Sequence, residues 1–257
     1  MLQELRRELI AAEIGQNQAM SVEAVARRFG CSLATARRDL QALADAGRIR
    51  RARGGALALT NGSLSSALSG HNGSAGDAVE AVKRRIGRAA AGLVVDGETV
   101  GISGGTTTLE VARCLRGRHI GVVTNALDPA LELAAIPGPR VVLVGGVLDF
   151  SWGRELVGPL AELLLGQLSM DILFISVNGI SAESGITVLG EFEAQVLRAM
   201  SARARRVVVV ADHTKVGRVA LASVLPVEAI HTFVTDTCTA ESDLGAISAA
   251  GVVVLRV

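Results

Sequence analysis

The stretch GETVGISGGTTTLEVARCL, residues 97–115, predicts a strand that passes directly into a helix. Val100 to Ile102 form an apolar run, and apolar residues recur at helical spacing after Thr108. The backbone N–H groups and the dipole at the start of such a helix favour a bound anion. We therefore expect a phosphate-binding loop formed by Ser103, Gly104, Gly105, Thr106, Thr107 and Thr108.

The residues from 80 to 257 repeat this alternation of apolar runs and amphipathic segments. The runs are TVGIS, IGVVTN, RVVLVGG, DILFISVNG, RVVVVAD, IHTFVTD and GVVVLRV. Nearly continuous valine and isoleucine predict strands that are covered on both faces, and hence a mostly parallel sheet in an α/β domain.

Ligands bind such sheets beyond the carboxyl ends of the strands, which selects the polar residues after each run. These are Thr124, Asn125, Asn178, Gly179, Asp212 and Lys215. A lysine charge for phosphate and amides for hydroxyl groups would suit a phosphorylated polyol.

Residues 1–57 contain ten arginines against six acidic residues, which indicates that this segment meets a polyanion. Helical spacing and a Gly-containing turn predict a helix-turn-helix within residues 21–47, and RIRRARGGAL, residues 48–57, predicts a hairpin, or wing. The last helix would enter the major groove while the wing meets phosphates or the minor groove. The expected DNA-binding residues are Ser32, Thr35, Arg37, Arg38, Arg48, Arg50, Arg51 and Arg53. A solvated arginine face on a three-helix adaptor is the alternative.

The remaining composition excludes several other classes of protein. Residues 58–79 are rich in Gly, Ser and Ala and predict a linker. Three distant cysteines give no zinc motif or disulfide framework, and we expect no metal or other cofactor. The charged N-terminus and the lack of a long apolar run predict a cytoplasmic protein without a membrane span.

Several motifs resemble the DeoR family of bacterial transcription regulators. In the N-terminal part they are Arg37-Arg38-Asp39-Leu40, Leu43, Gly47 and Arg53-Gly54-Gly55-Ala56. In the remainder they are the Gly-Thr-Thr loop, Thr124-Asn125, Gly145-Gly146, Gly158-Pro159, Glu193-Ala194 and Thr214-Lys215. The resemblance implies a winged helix-turn-helix followed by a sensor domain similar in fold to ribose-5-phosphate isomerase and the CoA-transferases. It also implies a repressor of carbohydrate genes that binds operator DNA as a dimer or tetramer and senses a phosphorylated sugar or polyol.

Two positions depart from the family pattern and bear on the alternatives. Ser103 and Asn178 stand where the family usually has aspartate, and an isomerase needs carboxylates for proton transfer. This disfavours an isomerase-like enzyme with a DNA-binding appendage, and it leaves open a constitutive DNA binder with a decayed pocket. Glu191 and Glu193, near the expected mouth of the site, leave a proton-transfer base open, and surface carboxylates of a helix are the simpler interpretation of this pair.

Overall fold

A computed structural model describes residues 3–17, 19–45, 49–52, 55–58, 74–151 and 153–257. The chain forms two compact units, Met1–Gly62 and Ser63–Val257. Most of the predicted linker, residues 59–73, lies outside the described residues, and its last residues, from Ser74 onward, already belong to a helix. Within the described residues, no helix has the length and apolar character needed to cross a membrane.

The first unit is a helix-turn-helix with a small antiparallel sheet. Its elements are α1 (Gln3–Asn17), β1 (Ala19–Ser21), α2 (Val22–Phe29), α3 (Leu33–Asp45), β2 (Ile49–Ala52) and β3 (Gly55–Ala58). β3 pairs with both β1 and β2, so the hairpin of the wing is tied back to the start of α2. Gly30 ends α2 with a φ of +59°, a conformation that glycine adopts without steric cost.

A buried carboxylate joins the first and third helices. Asp39 is 1% exposed and accepts hydrogen bonds from Arg6 Nε at 2.7 Å and Arg7 Nε at 2.9 Å. Burial opposes the ionisation of Asp39, but the two arginines outweigh this effect and lower its pKa. The aspartate therefore fixes α3 against α1, beside an apolar core that includes Ile10 and Leu40.

The second unit is built on seven strands that run in parallel. They are β4 (Thr99–Ile102), β5 (Gly121–Thr124), β6 (Arg140–Leu143), β9 (Met170–Ile175), β12 (Ala204–Val210), β14 (Thr232–Thr235) and β15 (Val253–Arg256). Their order in the sheet is β15-β14-β12-β9-β4-β5-β6. Each strand comes from one of the seven predicted apolar runs, and every pairing is parallel, which confirms the predicted sheet.

Helices cover both faces of this sheet. They are α4 (Ser74–Ala91), α5 (Thr106–Cys114), α6 (Leu127–Ala134), α7 (Pro159–Leu165), α8 (Glu191–Ser201) and α9 (Glu241–Ala249). Alternate residues of one strand point to opposite faces, so Phe174 packs in the core with α4 to α6, whereas Leu173 and Ile175 pack in the core with α7 to α9.

Two small antiparallel sheets and two short 3₁₀ turns complete the second unit. One sheet pairs β7 (Val147–Asp149) with β8 (Glu155–Val157), and the other has the order β10-β11-β13, formed by Gly179–Ser181, Gly185–Val188 and Ala222–Leu225. The turns span His213–Lys215 and Val227–Ala229.

We predict that Asp39→Asn loosens the first unit by about 2 kcal/mol, since it weakens two hydrogen bonds to charged groups while the partly exposed arginines regain water. Hydrogen exchange of the full chain should then show faster exchange in α1 and α3 and unchanged exchange in β9. The exposed Asp45→Asn on the same helix is the control. Equal exchange in both variants would contradict an anchoring role for Asp39.

Candidate functional site

The start of α3 presents polar groups away from the core of the first unit. Ser32 caps this helix, because its Oγ accepts the Thr35 N–H at 3.1 Å and lies 2.9 Å from Thr35 Oγ1. Arg37 and Arg38 are exposed, whereas Asp39 and Leu40 are buried. The helix therefore separates two candidate DNA contacts from two anchoring residues along four consecutive positions.

The other predicted DNA contacts lie in or next to the wing. Arg50 and Arg51 belong to β2, while Arg48 and Arg53 lie outside the described residues. The structure thus places the helix and hairpin of the prediction, and the DNA-binding roles of these arginines stay predictions.

The carboxyl end of β4 is the point where the strand order of the large sheet reverses. From β4 the chain continues to β5 and β6 on one side, and later strands extend from β9 on the other side. Ser103 joins the two directions: its N–H donates to the Phe174 carbonyl at 3.0 Å, and its Oγ accepts the Ser176 N–H at 3.1 Å. Ser103 is 1% exposed, and its two hydrogen bonds fix the start of the loop to the end of β9.

The two glycines of the loop are required because other groups approach them closely. A Cβ on Gly104 would lie 1.8 Å from Glu155 Oε1, and a Cβ on Gly105 would lie 2.5 Å from Ser176 Cβ. Gly105 also has a φ of +125°, which a residue with a Cβ rarely adopts. The loop therefore packs directly against β8 and the residues after β9.

The three threonines form the first turn of α5. Thr107 and Thr108 are buried, and Thr108 Oγ1 donates to the Gly105 carbonyl at 3.0 Å. The Leu109 N–H, which donates to the Gly105 carbonyl at 3.1 Å, begins the backbone ladder of the helix. The N–H groups of the preceding threonines have no partner within the helix, and they are the groups that bind an anion at a helix start.

The only two lysines of the chain, Lys83 and Lys215, approach each other at this edge of the sheet. Burial lowers the pKa of Lys83; the nearby Asp212 opposes this shift, and the charge of Lys215 adds to it. Lys83, which lies on α4, is not among the residues that the sequence predicted for this site. That helix packs closely on α5, since a Cβ on Gly87 would lie 2.6 Å from Glu110 Cβ.

Three other predicted residues hold the backbone around this edge. Asp212 caps the His213–Lys215 turn by accepting the Thr214 N–H at 2.9 Å. Asn178 Oδ1 accepts the Leu189 N–H at 3.1 Å, and Thr124 Oγ1 accepts the Ala126 N–H at 3.1 Å. Gly179 begins β10, where a Cβ would lie 2.2 Å from the Arg218 carbonyl oxygen.

A second polar group, which we call the carboxylate pocket, consists of Asn125, Glu155 and Glu193. Asn125 Nδ2 donates to Glu155 Oε2 at 3.3 Å, and both residues are buried. Glu155 and Glu193 line a cavity of about 10 Å³ together with Asp149, Gly153 and Val157. The interpretation of Glu193 as a surface carboxylate is wrong, because its Oε2 is shielded from solvent and has no hydrogen-bond partner.

The two glutamates hold protons more tightly than ordinary carboxyl groups. Burial, and after it the charge of Glu155, raise the pKa of Glu193 to about 8. Burial also raises the pKa of Glu155 to about 7, against the hydrogen bond from Asn125. At neutral pH the pair therefore remains at least partly protonated.

A cluster of His213, Asp236 and Cys238 follows β12 and β14, with one potential ligand atom of each residue within 4.8 Å of the others. The buried Asp236 accepts the backbone N–H groups of His213 at 2.7 Å and Cys238 at 2.8 Å. Its carboxylate therefore joins the two loops that carry these residues.

A helix-turn-helix with exposed arginines, followed by a parallel α/β unit with a glycine-threonine loop at a helix start, is typical of a two-domain transcriptional regulator. Residues 6–61 match the DeoR-like helix-turn-helix domain, and residues 79–237 match the DeoR C terminal sensor domain. The chain belongs to the DeoR family and is a DNA-binding regulator rather than an enzyme.

Curated relatives match nearly the whole chain. The transcriptional repressor AccR of Agrobacterium fabrum is 34% identical, with 91% of this chain and 90% of the relative covered. The regulator GlpR of Haloferax volcanii is 35% identical, with coverage of 99% and 98%. The glycerol-3-phosphate regulon repressor of Escherichia coli is 31% identical, with coverage of 90% and 91%.

Solved structures match only distantly. Ribose 5-phosphate isomerase A of Methanocaldococcus jannaschii covers 53% of this chain and 54% of its own, with a TM-score of 0.39 and 18% identity. This likeness supports no conclusion about function.

We predict that Glu193→Gln raises the thermal stability of the second unit at pH 8.5 but has little effect at pH 5. Between about pH 4.5 and pH 8 the unfolded chain releases a proton that the folded chain retains, so stability falls as the pH rises. The amide removes this penalty, on the order of 2 kcal/mol. Thermal unfolding at both pH values measures the difference.

The matched control is Glu191→Gln, because Glu191 is exposed on the same helical turn. An equal increase at both pH values would mean that the amide improves packing and that the protonation of Glu193 is ordinary.

Proposed function

We propose that the protein is a repressor of carbohydrate-metabolism genes whose binding to double-stranded operator DNA is controlled by a phosphorylated sugar or polyol. The observation that supports the effector class most strongly is the approach of two lysines at the edge of the sheet that also carries the glycine-threonine loop. Both lysines of a chain otherwise rich in arginine approach each other at the carboxyl edge of the sheet, where α5 begins. A compact ammonium group binds phosphate as a point charge, and the helix start adds backbone donors.

Effector and DNA are linked through the populations of the regulator. An effector that binds more tightly to the form with low DNA affinity shifts the protein away from its operator, and the coupling works equally in both directions. A helix that reads one half-site gives limited affinity, so we propose a dimer or tetramer on repeated half-sites. One relative is the repressor of a glycerol-3-phosphate regulon, and this name is consistent with a phosphorylated polyol as the effector.

We predict that Arg38→Ala weakens operator binding by about 1–3 kcal/mol, because the side chain is exposed on the helix that would read base edges. Fluorescence anisotropy at one fixed salt concentration, with DNA from upstream of the protein's own gene, measures this loss. Arg205→Ala is the control, since Arg205 is an exposed arginine of the second unit. Unchanged binding by the Arg38 variant would assign base reading to the wing.

We also predict that Lys83→Ala and Lys215→Ala each weaken the effector response at least about tenfold and leave DNA affinity unchanged. Each substitution removes one positive charge that would pair with the phosphate of the effector. Release of the labelled DNA by glucose 6-phosphate, fructose 6-phosphate, ribose 5-phosphate and glycerol 3-phosphate provides the measurement. Arg84→Ala, next to Lys83 and paired with Glu80 at the surface, is the control.

Two other outcomes would contradict this proposal. A normal response in both lysine variants would place the phosphate elsewhere. Tight DNA binding that none of the four compounds alters would instead favour a constitutive DNA binder with a decayed pocket.

A further inference from the structure

The carboxylate pocket contains shielded polar atoms without hydrogen-bond partners. Asn125 Oδ1 and Glu193 Oε2 are both shielded from solvent and have no hydrogen-bond partner. An unsatisfied buried polar atom costs about 1–3 kcal/mol, and native proteins contain few of them. These two atoms belong to the groups next to Glu155, and the cavity there is large enough for about one water. We infer that a bound molecule supplies the missing hydrogen-bond partners.

The described groups that shift the pKa values of the two glutamates are acidic or neutral. The groups that shift the pKa of Glu155 are burial, the Asn125 amide and the Asp149 carboxylate. Those that shift the pKa of Glu193 are burial, Glu155, the Gly190 backbone and Asp149. None of these described groups is a cation, so a second anion placed here would meet uncompensated negative charge in a buried environment.

The pocket adjoins the proposed phosphate loop. Gly104 lies so close to Glu155 that a Cβ there would overlap the carboxylate, and Asn125 follows β5, the strand beside β4. The helix start at the loop and the two lysines at the same edge of the sheet would bind the phosphate, and the carboxylate pocket lies against the loop. One ligand with a phosphate at one end can therefore present its other end to Glu155 and Glu193.

We propose that Asn125, Glu155 and Glu193 bind hydroxyl groups of the effector and reject any effector with a second anionic group at that end. The inference rests on the proposed function and narrows the effector to a sugar or polyol that has one phosphate and no other charged group. A hydroxyl group both donates and accepts hydrogen bonds. It can therefore donate to Asn125 Oδ1 or to an ionised carboxylate, and it can accept from a protonated carboxyl group. Phosphorylated sugar acids and bisphosphates fail because their extra charge faces the pair.

Matched ligands test this selectivity by isothermal titration calorimetry with the full chain. Three pairs differ by one anionic group: glycerol 3-phosphate and 3-phosphoglycerate, glucose 6-phosphate and 6-phosphogluconate, and fructose 6-phosphate and fructose 1,6-bisphosphate. In any pair that binds, we expect the compound without the additional anionic group to bind at least about tenfold more tightly, because like charges in a buried site repel strongly.

The double variant Glu155→Gln, Glu193→Gln keeps the shape of the pocket and removes its charge. We expect it to reduce the discrimination within a pair at least about tenfold, mainly through tighter binding of the anionic member. Glu191→Gln, on the exposed face of the same helix, should keep the discrimination of the unmodified protein.

The outcomes separate this inference from the proposed function. If the anionic member binds as tightly as its neutral partner, or if the double variant discriminates as the unmodified protein does, the carboxylate pocket does not select the ligand and only this inference fails. If none of the six compounds binds, the sugar-phosphate effector itself is refuted and the inference falls with it.

Discussion

The pairing of β4 with both β5 and β9 is the constraint on which the second unit depends. Because all of these pairings are parallel, the strands end at the same edge of the sheet. The sheet continues in opposite directions from this point, so the helices that follow β4 and β9 cover opposite faces and leave a space between them. The glycine-threonine loop, the Lys215 turn and the Asn178 corner all follow from that arrangement.

The close approach at Gly104 places opposite electrical properties side by side. The helix start lies against a shielded carboxyl pair, and none of the described groups that shift the pKa values of this pair is a cation, whereas the two lysines approach each other at the same edge of the sheet. Burial lowers the pKa of Lys83 and raises those of Glu155 and Glu193. The folded protein therefore disfavours the charged form of each of these three groups. Such destabilising groups are typical of binding sites, where the ligand supplies the missing partners.

In α3, the helical period places neighbouring residues of one short motif on opposite faces of the helix. Arg37 and Arg38 face outward, whereas Asp39 turns inward to Arg6 and Arg7. Because the aspartate fixes the helix and the arginines project from it, the orientation of the candidate DNA contacts depends on a buried ion pair.

The sequence by itself determined the seven strands, the helix-turn-helix and the glycine-threonine loop, because continuous apolar runs, helical periods and turn residues are local patterns that can be recognised without the tertiary structure. It also placed Lys215, Asn125 and the Ser103 loop at one edge, since parallel strands end together. It failed for Lys83, Glu155 and Glu193. Lys83 reaches the site only because α4 packs on α5, and the glutamates become a buried pair only when β8 and α8 fold over the loop after β4. Only the tertiary structure could decide these positions, because burial and charge at the site depend on contacts between segments that lie far apart in the chain.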